Sequence, residues 1–223
     1  MKIAAVCCTY LRPRQLGRLV QCFLRQDYPA ERRELVILDD AGQYNDQRGS
    51  GWRLVSVDRR FPSLGEKRNA AAALVSADVD ALAPWDDDDQ YLPWALSASV
   101  AALELAPWSR PSEVLSPQPD GRLVRRKTGG LWHASWAYTR EAFDRVGGYP
   151  AINNGEDQAL ARRLEKVATA QADPIALGFP PFFLWSWGGG RSSWHLSALG
   201  QAGYEKLARL TVEKAELIIT DPP

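Results

Sequence analysis

The sequence predicts an α/β protein: a Rossmann-like, mostly parallel sheet flanked by helices, followed by a smaller and more irregular half. Three observations predict it. Over residues 1–106, short apolar runs of strand length alternate with segments of helical periodicity, the pattern of parallel strands joined by right-handed crossovers. Polar residues collect where those runs end, at Thr9-Tyr10, Asp39-Asp40 and Asp86 to Asp89, and an open α/β sheet holds its ligand crevice at these carboxyl ends. After Ala106 the texture changes, because Pro107, Pro111, Pro117 and Pro119 cut the chain into short pieces. The expectation is one domain over residues 1–223, made of a first half, 1–106, and a second half, 107–223.

Taken in order, Ile3 to Cys8 is a compact apolar run and reads as a strand buried on both faces. Pro13 marks a helix start, with Leu16, Leu19, Val20, Phe23 and Leu24 at helical spacing and Tyr28-Pro29 as the stop. Leu35 to Leu38 is a second strand closed by Asp39-Asp40, and the polar segment from Gln43 to Gly51 is expected as a loop. Trp52 to Val57 alternates and reads as a third strand. A helix is expected from Ser63-Leu64-Gly65-Glu66 to Val75, and a fourth strand from Val79 to Ala83. Gln90 to Trp94 is expected to open a helix directly after the aspartates, running to about Ala106. Val114 to Ser116 and Leu123 to Arg125 flank Asp120-Gly121 as a hairpin. Ala134 to Tyr138 reads as a strand, Thr139 to Ala142 as a capped helix start, and Gly147 to Pro150 as a turn. Gly155-Glu156-Asp157 opens a helix with Leu160, Ala161 and Leu164 on one face, and Leu199 to Leu217 is expected as a final amphipathic helix.

Composition narrows the partners. The 223 residues are 45% hydrophobic and 24% charged, with a formal net charge of +0. That balance gives no electrostatic drive toward nucleic acid or an anionic membrane. No apolar run reaches the roughly eighteen residues of a membrane span, and the first residues lack the pattern of a signal peptide, so a cytoplasmic protein is expected, with peripheral membrane association left open. Cys7, Cys8 and Cys22 are an odd number of thiols without CxxC spacing, which suits reduced, buried cysteines and not a metal site. Nine tryptophans are many for this length, and Trp185, Trp187 and Trp194 cluster around Gly188-Gly189-Gly190, as a stacking surface beside a glycine-rich lid or as a plain loop.

The run Asp86 to Asp89 is the most specific chemical signal. Four adjacent carboxylates repel one another and gain nothing from packing. A hard divalent cation relieves that repulsion and bridges phosphate oxygens; a solvated acidic turn is the alternative.

With these motifs in order, the chain resembles a family 2 glycosyltransferase of the GT-A fold. Thr9-Tyr10-Leu11-Arg12-Pro13 resembles that family's first strand-to-helix turn. Gln26-Asp27-Tyr28-Pro29 and Glu34 to Asp40 resemble its next helix exit and second strand, with Ala41-Gly42 where Gly-Ser is usual. Gly65-Glu66-Lys67-Arg68-Asn69 resembles the donor-side helix start, Asp86 to Asp89 followed by Pro93 the aspartate motif, and Gly147-Gly148-Tyr149 with Gly155-Glu156-Asp157 the acceptor segment.

The resemblance implies a metal-dependent, inverting enzyme that moves one sugar from a nucleotide-sugar donor, UDP being the commonest, to a saccharide or other hydroxyl acceptor. It implies Mn²⁺ or Mg²⁺ held by Asp88 and Asp86, with Asp86 also near the ribose and Asp87 and Asp89 in support, Asp87 on the donor side. His195 is either a third metal ligand or a surface histidine. Thr9, Tyr10, Arg12, Asp39, Lys67 and Arg68 are expected on the donor; only one of Lys67 and Arg68 is expected to face the cleft. Asp157 is the expected general base, with Glu156 positioning the acceptor, against the alternative that both only cap their helix. Trp132, His133 and Trp187 are expected on the acceptor side, His133 at a strand edge or in the acceptor wall. The first half would then hold the nucleotide sugar and the second the acceptor. Two other classes compete: a sugar nucleotidyltransferase, which wants a glycine-rich basic loop after the first strand where Thr9 to Pro13 stands, and a binding subunit of the same fold without turnover.

Overall fold

The apolar runs become the centre of a seven-stranded sheet. The structure, a computed structural model, describes residues 1–118, 120–168 and 170–185. Strands β1 (Ile3–Thr9), β2 (Arg33–Asp39), β4 (Trp52–Ser56) and β5 (Ala81–Asp86) are parallel, and short antiparallel strands close both edges: β3 (Gln47–Gly49) on one side, β10 (Ala137–Thr139) and β7 (Trp108–Ser109) on the other. The order is β3-β4-β2-β1-β5-β10-β7. The chain moves outward from β1 to β2 and β4, then crosses to β5 on the other flank of β1, so the topological switch lies between β1 and β5. A crevice opens there by connectivity alone.

Alternate residues of the central strands feed two cores. Ile3, Ala5, Cys7, Leu35, Ile37, Leu54, Ala81 and Ala83 pack on one face against helices α1 (Pro13–Leu24) and α3 (Ala95–Leu103). Ala4, Val6, Val36, Leu38 and Leu82 pack on the other against α2 (Leu64–Ala73), α4 (Arg140–Arg145) and α5 (Glu156–Val167). Cys7 and Cys8 accordingly face opposite cores, and all three cysteines are free thiols. Burial pushes the Cys8 thiol up to about 11, which keeps it protonated and unreactive.

A second sheet, in the order β6-β11-β8-β9, joins β6 (Gln90–Tyr91), β11 (Phe183–Leu184) and the hairpin of β8 (Glu113–Pro117) and β9 (Leu123–Lys127). Several expectations are corrected here. Gln90-Tyr91 is a strand and not a helix start; Tyr91 stacks on Trp85 at 3.9 Å and pairs with Phe183, and the helix begins only at Ala95. The fourth strand does not end at Ala83 but continues through Pro84 to Asp86. The Ala81 N–H points toward β1, to Lys2 O, while the Asp86 N–H points away, to the Tyr91 hydroxyl. Pro84 shares the orientation of Asp86, on the flank where β10 has already ended, so its missing N–H costs no ladder bond. The segment 43–51 holds the short edge strand β3, and of the strand expected at Ala134 to Tyr138 only Ala137 and Tyr138 are extended, in β10, after a 3-10 turn at His133–Ser135. The final helix at 199–217 lies outside the described residues. Among the described residues, no helix is long and apolar enough to cross a membrane.

Candidate functional site at the carboxyl edge

The strand registers set Thr9 opposite Asp39, Asp39 opposite Ser56, and Cys8 opposite Asp86, so four strand ends, at Thr9, Asp39, Ser56 and Asp86, deliver polar side chains side by side. Asp86 to Asp89 form the turn that carries the chain from β5 of the large sheet into β6 of the small one. The Asp86 N–H donates to Tyr91 Oη at 2.8 Å, and the Asp89 N–H returns to Asp86 O at 3.4 Å.

Within this turn the carboxylates divide. Asp87 and Asp89 are buried, whereas the Asp86 and Asp88 side chains keep 34% and 18% exposure. Asp87 accepts from Thr9 Oγ1 at 2.6 Å and from Arg12 Nη1 at 2.7 Å, and Arg12 also reaches Asp88 at 2.9 Å. Burial raises the Asp87 carboxyl, an effect Arg12 opposes. The Arg12 guanidinium is disfavoured by burial but held charged by Asp87 and Asp88.

Helix α2 supplies two more cations. Its start is a capping box: Ser63 Oγ accepts from the Glu66 N–H and donates to the Glu66 carboxylate. Lys67, 4% exposed, donates to Thr9 O at 2.6 Å and to Asp40 at 2.5 Å, and Arg60 meets the same Asp40 oxygen. Arg68 contacts Asp86 at 3.4 Å and Glu156 at 3.3 Å. Arg68 thus meets the aspartate turn and the start of α5, while Lys67 is buried beneath Thr9 and Asp40.

The segment 147–155 is docked on that same helix. The Asn69 side chain exchanges two 2.9 Å hydrogen bonds with the Tyr149 backbone, and Asn153 Oδ1 accepts from the Leu64 N–H. A Cβ on Gly65 would stand 1.8 Å from Pro150 O, so only glycine allows this approach. Gly155, at φ +74°, leads into α5, whose first two residues are Glu156 and Asp157. Glu156 is buried, and burial raises its carboxyl against the pull of Arg68. Asp157 is half-exposed, its Oδ1 accepting the Gln158 N–H at 2.7 Å.

Other expected residues fall in different places. Asp39 is fully buried and its oxygens are taken by the N–H groups of Ala41 and Gln43 and by Ser56 Oγ, so it shapes its own turn. Tyr10 lies 3.6 Å under the Arg60 guanidinium. Arg60 also lines a cleft of about 410 Å³ with Arg59, Phe61, Pro62, Glu66 and Asn69. Trp132 sits at φ +61° and meets Trp185 edge-on at 5.4 Å. His133 is not at a strand edge: it is buried in the 3-10 turn, its Nε2 2.7 Å from Tyr149 Oη. Burial and then Arg68 hold its pKa well below the usual imidazole range. His195 and Trp187 lie outside the described residues. Asp40, Arg60, Asn69 and Tyr149 are the structural partners the sequence reading did not single out, although all but Arg60 stood inside motifs it quoted.

Asp86 and Asp88 are hard oxygen donors of the kind Mn²⁺ and Mg²⁺ take. Among the described residues no group of three or more His, Cys, Asp and Glu side chains is disposed to hold a metal. Two carboxylates completed by phosphate oxygens are nonetheless a usual Mg²⁺ arrangement, so these residues fit a cation that arrives with a diphosphate.

No protein-family model matches the chain, and no curated sequence does. Solved structures do. S. aureus TarS 1–349 superposes with a TM-score of 0.65 at 16% identity, over 82% of this chain and 60% of that one. Its complex with UDP-GlcNAc gives 0.65 at 14% identity, over 83% and 58%. The mannosyltransferase PcManGT from Pyrobaculum calidifontis, in complex with GDP-Man and Mn²⁺, gives 0.63 at 16% identity, over 89% and 60%. The chain thus spans about 60% of the length of these three structures. At these identities the likeness is one of fold, and the fold is the GT-A fold of glycosyltransferases.

Proposed function

We propose that the chain is a metal-dependent glycosyltransferase of the family 2 type, moving one sugar with inversion from a nucleotide sugar to a hydroxyl acceptor in glycan or polysaccharide biosynthesis. The observation that carries this reading is the chain Asp86–Arg68–Glu156. It ties the aspartate turn to the start of α5, so a donor diphosphate and an acceptor hydroxyl would meet across one arginine. The fold neighbours support it: one is a mannosyltransferase with GDP-Man and Mn²⁺, and TarS has been captured with UDP and UDP-GlcNAc. UDP sugars are the first donors to test.

In this reading residues 1–106 hold the donor and 107–223 the acceptor. Asp88 and Asp86 hold Mn²⁺ or Mg²⁺, which supplies charge neutralisation for the departing diphosphate. Lys67 and Asp87 act from behind: Lys67 braces Thr9 and Asp40, and Asp87 braces Arg12. Asp157, half-exposed at the start of α5, takes the acceptor proton as the new glycosidic bond forms. The anomeric bond to phosphate breaks in the same displacement, its electron pair leaving with the nucleotide. Trp132 lines the acceptor side with His133 buried behind it through Tyr149; Trp187 and His195 are assigned to acceptor and metal from the segment beyond residue 185.

The test is transfer from UDP-GlcNAc, other UDP sugars and GDP-Man with Mn²⁺, scored by nucleotide release with and without acceptor sugars. Asp157→Asn should keep donor binding and lose turnover by about a thousandfold, within the range for removal of a general base. Normal turnover in that variant would remove Asp157 from the mechanism.

A further inference from the structure

We infer that Arg12 is a built-in cation of the aspartate turn that competes with divalent metal for Asp88, so that metal and nucleotide bind as a coupled pair. The inference rests on the metal-dependent reading above and adds the order in which that site fills.

A single Arg12 nitrogen meets carboxylates of two consecutive residues, Asp87 at 2.7 Å and Asp88 at 2.9 Å, with the side chain 15% exposed. It thereby satisfies two oxygens that would otherwise face each other as like charges. The backbone commits Arg12 to this place. Leu11 stands at φ +57°, the left-handed region that a bulky residue rarely adopts, and Arg12, at φ −129° and ψ 57°, keeps out of the helical region ahead of Pro13. Strain of this kind persists only where the surroundings over-determine it.

The two ends of the bridge are unequal. Asp87 is buried and has a second partner in Thr9 Oγ1, while Asp88 is the more exposed carboxylate and the one assigned to metal. Arg12 can release Asp88 and stay anchored on Asp87. A dication at Asp88 beside the arginine is disfavoured by like charge. A nucleoside diphosphate removes that penalty, because its oxygens accept from the freed guanidinium N–H groups and coordinate the cation together. Each ligand then tightens the other by the same factor. Arg12 is a positioning residue in this scheme, read through the coupling factor and not through activity alone.

The experiment titrates Mn²⁺ into the full chain, following the free-ion paramagnetic resonance signal, without nucleotide and with saturating UDP or GDP. The wild type should bind Mn²⁺ weakly alone and about tenfold or more tightly with the matching nucleotide, as coupling energies usually allow. Arg12→Gln should bind Mn²⁺ alone about tenfold more tightly than the wild type, and its coupling should shrink by a similar factor. Should Arg12→Gln fail to fold, Arg12→Lys keeps the charge but loses the planar fork and should shift both quantities in the same direction by less. Folded variants that bind Mn²⁺ alone no tighter than wild type overturn the inference, as does a wild type that binds Mn²⁺ equally well with and without nucleotide; both leave the metal reading intact. A wild type that takes up no Mn²⁺ with any nucleotide overturns that reading and this inference together.

Discussion

At the carboxyl end of the larger sheet Asp40, Asp87, Lys67 and Glu156 are each 5% exposed or less, and every one has an oppositely charged partner. On β9 all five residues from Leu123 to Lys127 are exposed, and Arg125, its side chain 64% exposed, makes only a loose 3.5 Å contact with Glu113. The two regions are similarly rich in charge and opposite in its cost. Buried ions are retained only with partners, and removing one partner strands the other; solvated ions contribute almost nothing. Burying so many charges at one sheet edge opposes stability, which is the sign of a site shaped for chemistry and not for packing.

Substitutions should separate the regions by size of effect. Lys67→Met, which leaves the buried Asp40 carboxylate to Arg60 and the Phe61 N–H and takes the Lys67 donor from Thr9 O, should cost about 3 kcal/mol or more in urea denaturation. Gly65→Ala forces the start of α2 away from Pro150 O and should cost about 2 kcal/mol. A cost near zero there would mean that segment 147–155 is not firmly docked. Thr9→Val removes one donor from buried Asp87 and should cost about 1–2 kcal/mol.

His133 adds a pH signature. Buried and neutral in the fold, it takes up a proton far more readily when unfolded, where its pKa is about 6.5. The unfolded state therefore binds more protons below that pH. Its contribution is complete above about pH 6.5 and is lost as pH falls, by up to about 1.4 kcal/mol per unit. Urea midpoints at pH 7.5 and 5.5 should show the loss, and His133→Gln should flatten it. At the small end, Arg126→Ala and Lys127→Ala should change stability by less than about 0.5 kcal/mol. A larger loss would mean that β9 is covered in solution and would break the contrast.

Much of the architecture was readable because it follows local rules. Ile3 to Cys8 and Leu35 to Leu38 are too apolar for anything but two-sided burial, and the Ser63/Glu66 capping box announces α2. What escaped was non-local. Pro84 looked like a strand end, since the early stop of β10 cannot be seen from residue 84. Gln90-Tyr91 looked like a helix start, since its true partners, Trp85 and Phe183, are set by the second sheet. For the site, Asp86, Asp87, Asp88, Arg12, Lys67, Arg68, Glu156 and Asp157 were nameable from motifs; the structure gathers all but Asp157 through contacts at the carboxyl edge, and Asp157 follows Glu156 in the first turn of α5. Their pairings were not nameable: that Asp39 would serve its own turn and Asp40 would take Lys67 and Arg60 depends on which carboxylate the strand end turns inward.

The measurement that bears most directly on the central claim is thermal unfolding of the full chain with UDP, GDP, dTDP and CDP, each with and without Mn²⁺, beside Asp88→Asn. Binding to the folded state raises Tm by mass action. The account predicts a rise with one nucleotide in the presence of Mn²⁺, a much smaller rise without it, and loss of the metal-dependent part in Asp88→Asn. A folded wild type whose Tm no nucleotide moves, with metal or without, would contradict a donor site at this edge.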